Sequence, residues 1–314
     1  MAFQIPKINY TGKIREVTVG SGASAITVGG ESCYPFYRFE GDMPHPPKIA
    51  FEVWDYAPDD WQEWAIEPYK DVMQDPAAWA KKCVDVYGAE LIALLLKSAD
   101  PNGLNRDVEA CVETVKKVAD AISVPLLVWG CVNDEKDALL LRRVAEVCEG
   151  KNIAVGPVVD KNYKQIGAMA IGYNQAVMAS SPIDVNLAKQ LNILLGNLGI
   201  PDNRVIVDPT TGGLGYGLEY TYSVMERDRM AALTQEDVKL QSPIVCNMAH
   251  EVWKTKETKL TTEENPKLGD AKKRSILMES VTAMTLLTAG ADILIMRHPD
   301  AVALVKDMIN ELLQ

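Results

Sequence analysis

Short apolar runs alternate with amphipathic stretches along most of this chain, beginning at Lys48. The short runs are typical of buried strands, and stretches of about 10 to 18 residues with apolar positions three or four apart are typical of helices. The predicted strands are Ile49–Trp54, Leu91–Leu96, Pro125–Trp129, Ile153–Pro157, Gln175–Ala179, Val205–Val207, Pro243–Cys246 and Asp292–Met296. The predicted helices are Pro76–Tyr87, Arg106–Ile122, Glu135–Cys148, Lys161–Gly172, Ile183–Leu198, Tyr220–Leu233, Asp270–Ala289 and Asp300–Leu312.

The repetition of strand and helix predicts the architecture. Eight strand–helix pairs, with strands that are apolar throughout, indicate an α/β fold made of a single closed (β/α)8 TIM barrel. The alternative is an open doubly wound sheet. Its usual glycine-rich first turn is missing, because the first strand continues directly into WDYAPDDW.

The first 47 residues follow a different pattern. Two β-branched runs around GSGAS predict a hairpin from about Ile14 to Val28, which we expect to plug the N-terminal end of the barrel. Residues 31–47 are predicted to be an irregular lead-in, so that residues 1–47 and the barrel of residues 48–314 form one domain overall. The predicted helix caps are Asp134, Asp160 and Asp184 at N-termini, and Gly88, Gly199 and Gly290 after C-termini.

Charge and composition narrow the classes of partner. A net charge of −11 argues against nucleic acid and anionic membranes as partners, since both require clustered Lys and Arg. No apolar run is long enough to predict a membrane span or a signal peptide, so we expect a cytoplasmic protein. The six cysteines include no C-x-x-C pair, which favours reduced core cysteines over a metal site.

The most unusual segment is VIVDPTTGGLGYGLEY, after the sixth predicted strand. In such barrels the site lies on loops that leave the C-terminal ends of strands. Clustered glycines allow the backbone to approach a ligand, although a tight loop that caps the next helix is the alternative. Asp208 is a candidate hydrogen-bond anchor or general base, or else the start of an Asx turn. The candidate ligand-contact residues are Asp208, Thr210, Thr211, Gly212, Gly213, Gly215, Tyr216, Gly217 and Asn247.

Two long loops carry aromatic residues. Residues 55–75 include Trp61 and Trp64, and residues 250–269 include Trp253. We predict a protein interface there, with burial against the first helix of the barrel as the alternative. Hydrolytic sites have little support, because the chain has three histidines and no G-x-S-x-G or H-E-x-x-H motif. The polar strand-end residues Asp100, Asp208 and Asn247 could bind a polar heterocycle.

Five segments together carry a family resemblance: DPTTGGLGYGLEYTYS, WDYAPDDW, LLLKSADPNG, PVVDKNYKQIG and NMAHEVWKTKE. From about Lys48 onward the chain closely resembles the small (delta) subunit of the corrinoid iron–sulfur protein, the methyl carrier of the acetyl-CoA synthase/CO dehydrogenase pathway. The resemblance implies a heterodimer with a large subunit that carries a [4Fe–4S] cluster. It also implies a cobamide held between that subunit and the face of this barrel.

In such a carrier the cobalt would take a methyl group from a methyltetrahydrofolate methyltransferase and pass it to acetyl-CoA synthase. The candidate ligand-contact residues would then border the corrin. No residue of the chain is an evident nucleophile or metal ligand, and none is needed if cobalt is the nucleophile. Two alternatives stay open: a stand-alone pterin-binding methyltransferase barrel, and a purely structural subunit that does not contact the cofactor.

Overall fold

Parallel strands close into a barrel in the computed structural model, which describes residues 3–314. An N-terminal pair of strands, β1 Val17–Val19 and β2 Ile26–Val28, precedes it. The barrel strands are β3 Lys48–Trp54, β4 Leu91–Leu95, β5 Leu126–Trp129, β6 Ala154–Val158, β7 Ala176–Ser180, β8 Val205–Asp208, β9 Val245–Asn247 and β10 Ile293–Met296. They are paired in the order β8-β7-β6-β5-β4-β3-β10-β9. The ring closes between β8 and the start of β9, where Val207 N donates to Pro243 O at 2.8 Å. The predicted (β/α)8 barrel is therefore confirmed.

Helices connect these strands and surround the barrel. They are α1 Glu63–Ile66, α2 Pro76–Asp85, α3 Val108–Ala121, α4 Asp134–Val147, α5 Tyr163–Gly172, α6 Val185–Leu198, α7 Leu218–Thr234, α8 Ala249–Trp253, α9 Lys256–Lys259, α10 Ala271–Ala289 and α11 Pro299–Leu312. Short 3-10 turns lie at Gly22–Ser24, Glu67–Tyr69, Lys97–Ala99, Asp202–Arg204 and Pro266–Leu268. Over residues 3–314, no helix has the length and apolar character needed to cross a membrane.

The barrel strands are buried on both of their faces. Every residue of β4 has a relative exposure of 0%, and β5 and β7 are buried along their whole length. Burying one Leu or Val side chain stabilises a fold by about 1.5–3 kcal/mol. This is why apolar runs, and not alternating patterns, mark the strands in the sequence.

The predicted hairpin closes the N-terminal end of the barrel. Its strands β1 and β2 pair antiparallel. Asn152, just before β6, donates through Nδ2 to the carbonyl oxygens of Thr18 and Gly20 at 2.9 Å. The hairpin is therefore tied to the end of the barrel where the strands begin, opposite the end where a site is expected.

Two of the three predicted N-caps are wrong. Asp184 caps α6 as predicted, because its carboxylate accepts from Asn186 N and Leu187 N. Asn133 caps α4 instead of Asp134, which is the first helical residue. Asp160 lies two positions before Asn162, the residue at the N-cap position of α5. In both cases an Asn near the predicted Asp occupies the cap position, and sequence spacing alone does not separate the two.

The long aromatic loops are part of the core, which contradicts the prediction that their tryptophans form an interface. Trp61 is 7% exposed and Trp253 is 2% exposed. Trp61 packs edge to face on Trp79 of α2, with ring centroids 5.7 Å apart. Trp64 donates to Ser275 Oγ of α10 at 3.0 Å. The alternative, burial against the first helix of the barrel, is correct for Trp61.

Candidate functional site

A cavity of about 490 Å³ opens among the C-terminal ends of β5 to β9, beside α6. The last residues of four strands line it: Trp129 of β5, Ser180 of β7, Asp208 of β8 and Asn247 of β9. Because parallel strands end on the same side of a barrel, the fold brings together side chains that are far apart in the chain. Much of the remaining wall is apolar and comes from Pro157, Val159, Pro182, Leu187, Leu191 and Leu194.

Asp208 is the central acidic group of the cavity. It is 4% exposed, and its carboxylate accepts from Ser180 Oγ at 2.7 Å and from Thr210 N at 3.1 Å. Burial raises the pKa of Asp208 to about 6, although both hydrogen bonds favour the ionised form. The carboxylate is therefore ionised at neutral pH but poorly solvated.

Three further polar atoms of the cavity wall are buried without a hydrogen-bond partner among residues 3–314. They are Ser181 Oγ, Thr211 Oγ1 and Asn247 Oδ1. A buried polar atom without a partner costs about 1–3 kcal/mol. Because these three atoms line one cavity, a ligand bound there could supply their missing hydrogen bonds.

Three basic side chains line the cavity: Lys97, Lys161 and His250. Lys97 follows β4, and burial lowers the pKa of its ammonium group. Its Nζ lies 6.0 Å from the ring centroid of Trp54. Burial also lowers the pKa of His250 to about 4, so its imidazole is neutral at neutral pH. Sequence reasoning missed Lys97. Its position directly after a predicted strand was the available signal.

A buried ion pair joins Glu52 of β3 to Arg297, the residue that follows β10. Arg297 Nε donates to Glu52 Oε2 at 2.6 Å, and Trp54 Nε1 donates to Glu52 Oε1 at 3.0 Å. Burial opposes ionisation of Glu52, but the guanidinium of Arg297 outweighs it and lowers the pKa of Glu52. That guanidinium lies 3.6 Å from the ring centroid of Trp61. This network satisfies its own charges and holds the loops in place.

The glycine-rich segment forms a tight loop next to the cavity. Tyr216 N and Leu218 N both donate to Gly213 O, at 2.8 Å and 3.1 Å. A Cβ on Gly212 would lie 2.6 Å from the backbone of Gly217, so this position requires glycine. Gly215 has a φ of +77°, and a Cβ added there would meet no atom within 4 Å. The outer side of the loop is therefore accessible to an approaching ligand.

The structure divides the candidate ligand-contact residues into two groups. Asp208, Thr210, Thr211 and Asn247 line the cavity. The others, Gly212, Gly213, Gly215, Tyr216 and Gly217, form the adjoining loop and do not line it. Asp100 also lies outside the cavity, and its carboxylate accepts from Asn102 N at 2.8 Å in a local turn.

No group of three or more His, Cys, Asp or Glu side chains in the described part of the chain is arranged to hold a metal ion. All six cysteines are buried and free. Burial raises the pKa of Cys131, which lies just after the end of β5, to about 12. That thiol is therefore protonated at neutral pH, as expected for a core cysteine.

The sequence of residues 16–310 matches the family described as "CO dehydrogenase/acetyl-CoA synthase delta subunit". The chain belongs to this family. Relatives include the acetyl-CoA decarbonylase/synthase complex subunit delta of Archaeoglobus fulgidus, which is 35% identical over 99% of this chain and 71% of its own length. The protein of the same name from Methanothermobacter thermautotrophicus is 32% identical over 98% of this chain and 77% of its own length. The delta-subunit resemblance is thereby confirmed.

Solved structures with the same fold include dihydropteroate synthases. The enzyme of Xanthomonas albilineans with 4-aminobenzoic acid has a TM-score of 0.59 and 13% identity, and the match covers 94% of this chain and 96% of that one. The enzyme of Thermus thermophilus with 4-aminobenzoate has a TM-score of 0.55 and 14% identity, with coverage of 94% and 98%. This delta-family chain therefore forms a TIM barrel of the same type.

Proposed function

We propose that this delta-family chain is the small subunit of a heterodimeric corrinoid iron–sulfur methyl carrier. In this role it helps to hold a cobamide at the C-terminal face of the barrel. The methyl group comes from methyltetrahydrofolate through a methyltransferase and passes to acetyl-CoA synthase in the reductive acetyl-CoA pathway. The observation that carries the proposal is the family match over residues 16–310, which includes almost the whole barrel.

The surface around the cavity suits a large, amide-fringed macrocycle. Tyr216 and Tyr220 are 57% and 63% exposed, and Val132 and Leu187 are 64% and 43% exposed. Gly215 has no Cβ to prevent a ring from resting on the loop, and its surroundings are open. We expect the outer loop to contact the corrin, while Asp208 and Asn247 lie deeper, in the cavity.

The division of chemistry between the subunits follows from the residues present. When bound, the cobamide supplies the nucleophilic cobalt, so the chain itself needs no nucleophile. Its own residues bind and orient the cofactor and exclude water from one of its faces. The [4Fe–4S] cluster belongs in this proposal to the large subunit, because the cysteines of this chain have no cluster spacing.

The proposal is tested by reconstitution with the large subunit. The large subunit is loaded with cobamide alone or together with this chain, and both cobalt content and the rate of methylation by methyltetrahydrofolate and its methyltransferase are measured. We expect cobalt retention or methylation to rise at least tenfold when this chain is present. Equal values with and without it would contradict the proposal and favour a purely structural subunit.

A second experiment distinguishes the methyl-carrier proposal from the alternative of a stand-alone methyltransferase. In this experiment the isolated chain is mixed with methyltetrahydrofolate and free reduced cobalamin, without the dedicated methyltransferase. Methyl transfer catalysed by the chain alone would support an enzyme in its own right. Under the methyl-carrier proposal we expect no transfer above the rate without protein.

A further inference from the structure

Three loops at the cavity end of the barrel hold β-branched residues in the left-handed conformation. Among residues 3–314 these residues are Val132, Ile183 and Thr210, with φ values of +67°, +49° and +63°. They follow β5, β7 and β8, three strands whose C-terminal ends line the cavity. A branched Cβ makes this conformation unfavourable, and such strain persists only where the surrounding structure enforces it. The strain of β-branched residues is therefore concentrated at one end of the molecule.

Two of these residues gain contacts within the chain that offset the strain. Thr210 Oγ1 donates to Ser181 O at 2.7 Å. Ile183 is half-buried, and its backbone N–H donates to Pro209 O at 3.2 Å. These hydrogen bonds join the loop after β7 to the loop after β8. Strain at Ile183 and Thr210 therefore has an explanation inside the fold.

The side chain of Val132 gains no comparable contact. It is 64% exposed, and an isopropyl group cannot form a hydrogen bond. At three other left-handed positions, 105, 152 and 174, the chain has Asn, a residue type that tolerates this conformation. Asn at position 132 would allow the same backbone with less strain. A contact outside the chain is therefore the better explanation for a valine at this position.

Asp137 enforces the conformation of the Val132 loop. Its carboxylate is 1% exposed and accepts from Cys131 N at 2.8 Å and from Val132 N at 2.9 Å. The thiol of Cys131 donates to the same carboxylate at 3.2 Å. Asp137 lies in the first turn of α4, so these hydrogen bonds fix the loop on the helix. The loop is therefore held in its strained conformation before any partner binds.

We propose that Asp137 is a positioning residue that holds Val132 so that its side chain enters an apolar pocket of the large subunit. The inference rests on the proposed function, which places the large subunit at the cavity end. Burial of the valine on binding would offset the strain, and a loop that is already fixed loses little further freedom. We assign the pocket to the protein and not to the corrin, because a projecting branched side chain fits a concave surface and the face of a macrocycle is flat.

The test compares Val132→Asn with Val86→Asn as the matched control. Val86 is 63% exposed but has a φ of −102° and follows α2 at the hairpin end. Val132→Asn should relieve strain and raise the midpoint of thermal unfolding of the isolated chain by about 2 °C or more. It should also raise the dissociation constant for the large subunit roughly tenfold or more, as measured by calorimetry. Val86→Asn should do neither.

A double-mutant cycle tests the role of Asp137. Asp137→Asn directs an amide N–H group at the backbone donors of the loop and so removes one of their acceptors. It should weaken binding about fivefold or more in the wild-type chain, but no further in the Val132→Asn chain, because it acts through Val132. A merely structural role would weaken binding by the same factor in both chains, which would contradict the positioning role.

A third variant keeps the proposal testable if Asp137→Asn does not fold. Val132→Thr retains the branched Cβ and its strain, so the unfolding midpoint should stay within about 1 °C of the wild type. Its hydroxyl would enter an apolar pocket without a partner, so binding should still weaken about fivefold or more. Binding as tight as that of the wild type would overturn the proposal.

Two results with Val132→Asn would overturn the proposal directly. An unchanged or lower unfolding midpoint would show that the loop stores no strain. An unchanged dissociation constant would show that the side chain enters no pocket of the large subunit. The titration is run with cobamide-loaded and with cobamide-free large subunit. A loss of affinity that appears only with the loaded form would assign the contact to the corrin and would also overturn the proposal.

Failure of this inference is distinguishable from failure of the proposed function. The proposed function is judged by cobalt retention and methylation with the wild-type chain, and the inference by the affinities of the Val132 variants. If the wild-type chain binds and raises cobalt retention while Val132→Asn binds equally well, only the inference fails. If the wild-type chain does not bind the large subunit, both fail.

Discussion

Asp228 is a buried carboxyl group for which the described residues provide no hydrogen bond. It is 3% exposed, and neither of its side-chain oxygens has a partner among residues 3–314. Burial raises its pKa from 3.8 to about 7, although Arg229 and Arg227 favour the charged form. Between these pH values the folded state keeps a proton that the unfolded state has lost. Stability contributed by the protonated group is therefore present below about pH 4 and is lost as the pH rises towards 7.

The Asp228→Asn variant should remove this pH dependence. The wild-type protein should lose stability relative to the variant between about pH 4 and pH 7, with a slope that approaches about 1.4 kcal/mol per pH unit. Above about pH 7 the difference should become constant. Urea unfolding of both proteins across this range measures the difference. A difference that stays the same at every pH would show that Asp228 has an ordinary pKa.

Gly215 provides a test of the loop that is proposed to meet the corrin. Gly215→Val adds a side chain on the accessible side, at a φ of +77°. Gly88→Val is the matched control, because Gly88 has a φ of +63° and equally open surroundings but follows α2 on the other side of the barrel. Both variants should lose about 1–3 kcal/mol of stability through backbone strain.

Only Gly215→Val should reduce cobalt retention in the reconstituted heterodimer, and we expect at least a fivefold loss. Metal analysis of the purified complex provides the measurement, with thermal unfolding as the check on strain. If the two variants retain the same amount of cobalt, the loop is a structural cap of α7 and the assignment of corrin contact to it is wrong.

At the scale of elements, the segment between β3 and α2 was expected to form a protein interface, but its residue Trp61 belongs to the core. Trp61 lies between Trp54 and Trp79, with ring centroids 5.2 Å and 5.7 Å away, and Arg297 lies over its face. Trp61→Ala should therefore destabilise the protein by about 3–5 kcal/mol, as removal of a buried aromatic side chain does. Denaturant unfolding measures this loss. A loss under about 1 kcal/mol would show that the segment is not part of the core.

The periodic elements could be predicted from sequence because burial sets their pattern. The β4 prediction, Leu91–Leu96, differs from the observed Leu91–Leu95 by one residue, since a strand buried on both faces is apolar at every position. The role of Trp61 could not be predicted, because an aromatic residue in a polar loop fits a core and an interface equally well. Its partner Trp79 stands on a different element, and only the folded chain brings the two together.

The sequence also predicted only part of the candidate site. Strand ends identify Asp208 and Asn247, since the barrel places all its strand C-termini on one side. The spacing of residues does not show how deeply a side chain is buried at that end of the barrel. The sequence therefore does not separate Thr211, which lines the cavity, from Tyr216, which is exposed on the outer loop. It also gives little weight to Lys97, whose importance depends on its burial in the cavity.

At the scale of the whole molecule, the two ends of the barrel differ. The hairpin and its hydrogen bonds to Asn152 close the end where the strands begin. The other end has the cavity, and exposed apolar side chains stand beside it: Val132, Leu187, Tyr216 and Tyr220. Val132 also has a φ of +67°, which is strained for a β-branched residue and is more common at functional sites. The cavity and these exposed side chains together make the cavity end the surface that we propose for the large subunit.

Substitutions on this rim should weaken the heterodimer without unfolding the chain. Tyr220→Asp places a charge on a side chain that is 63% exposed, in the first turn of α7. Exposed aromatic residues that become buried in an interface commonly contribute about 2 kcal/mol or more, so we expect the dissociation constant to rise at least tenfold. Val86→Asp is the control, because Val86 is also 63% exposed but follows α2 at the hairpin end of the barrel. It should leave the dissociation constant unchanged, as measured by calorimetry with the large subunit. Equal effects of the two substitutions would mean that the large subunit does not bind at the cavity end, and the proposed corrin contact at this end would be wrong.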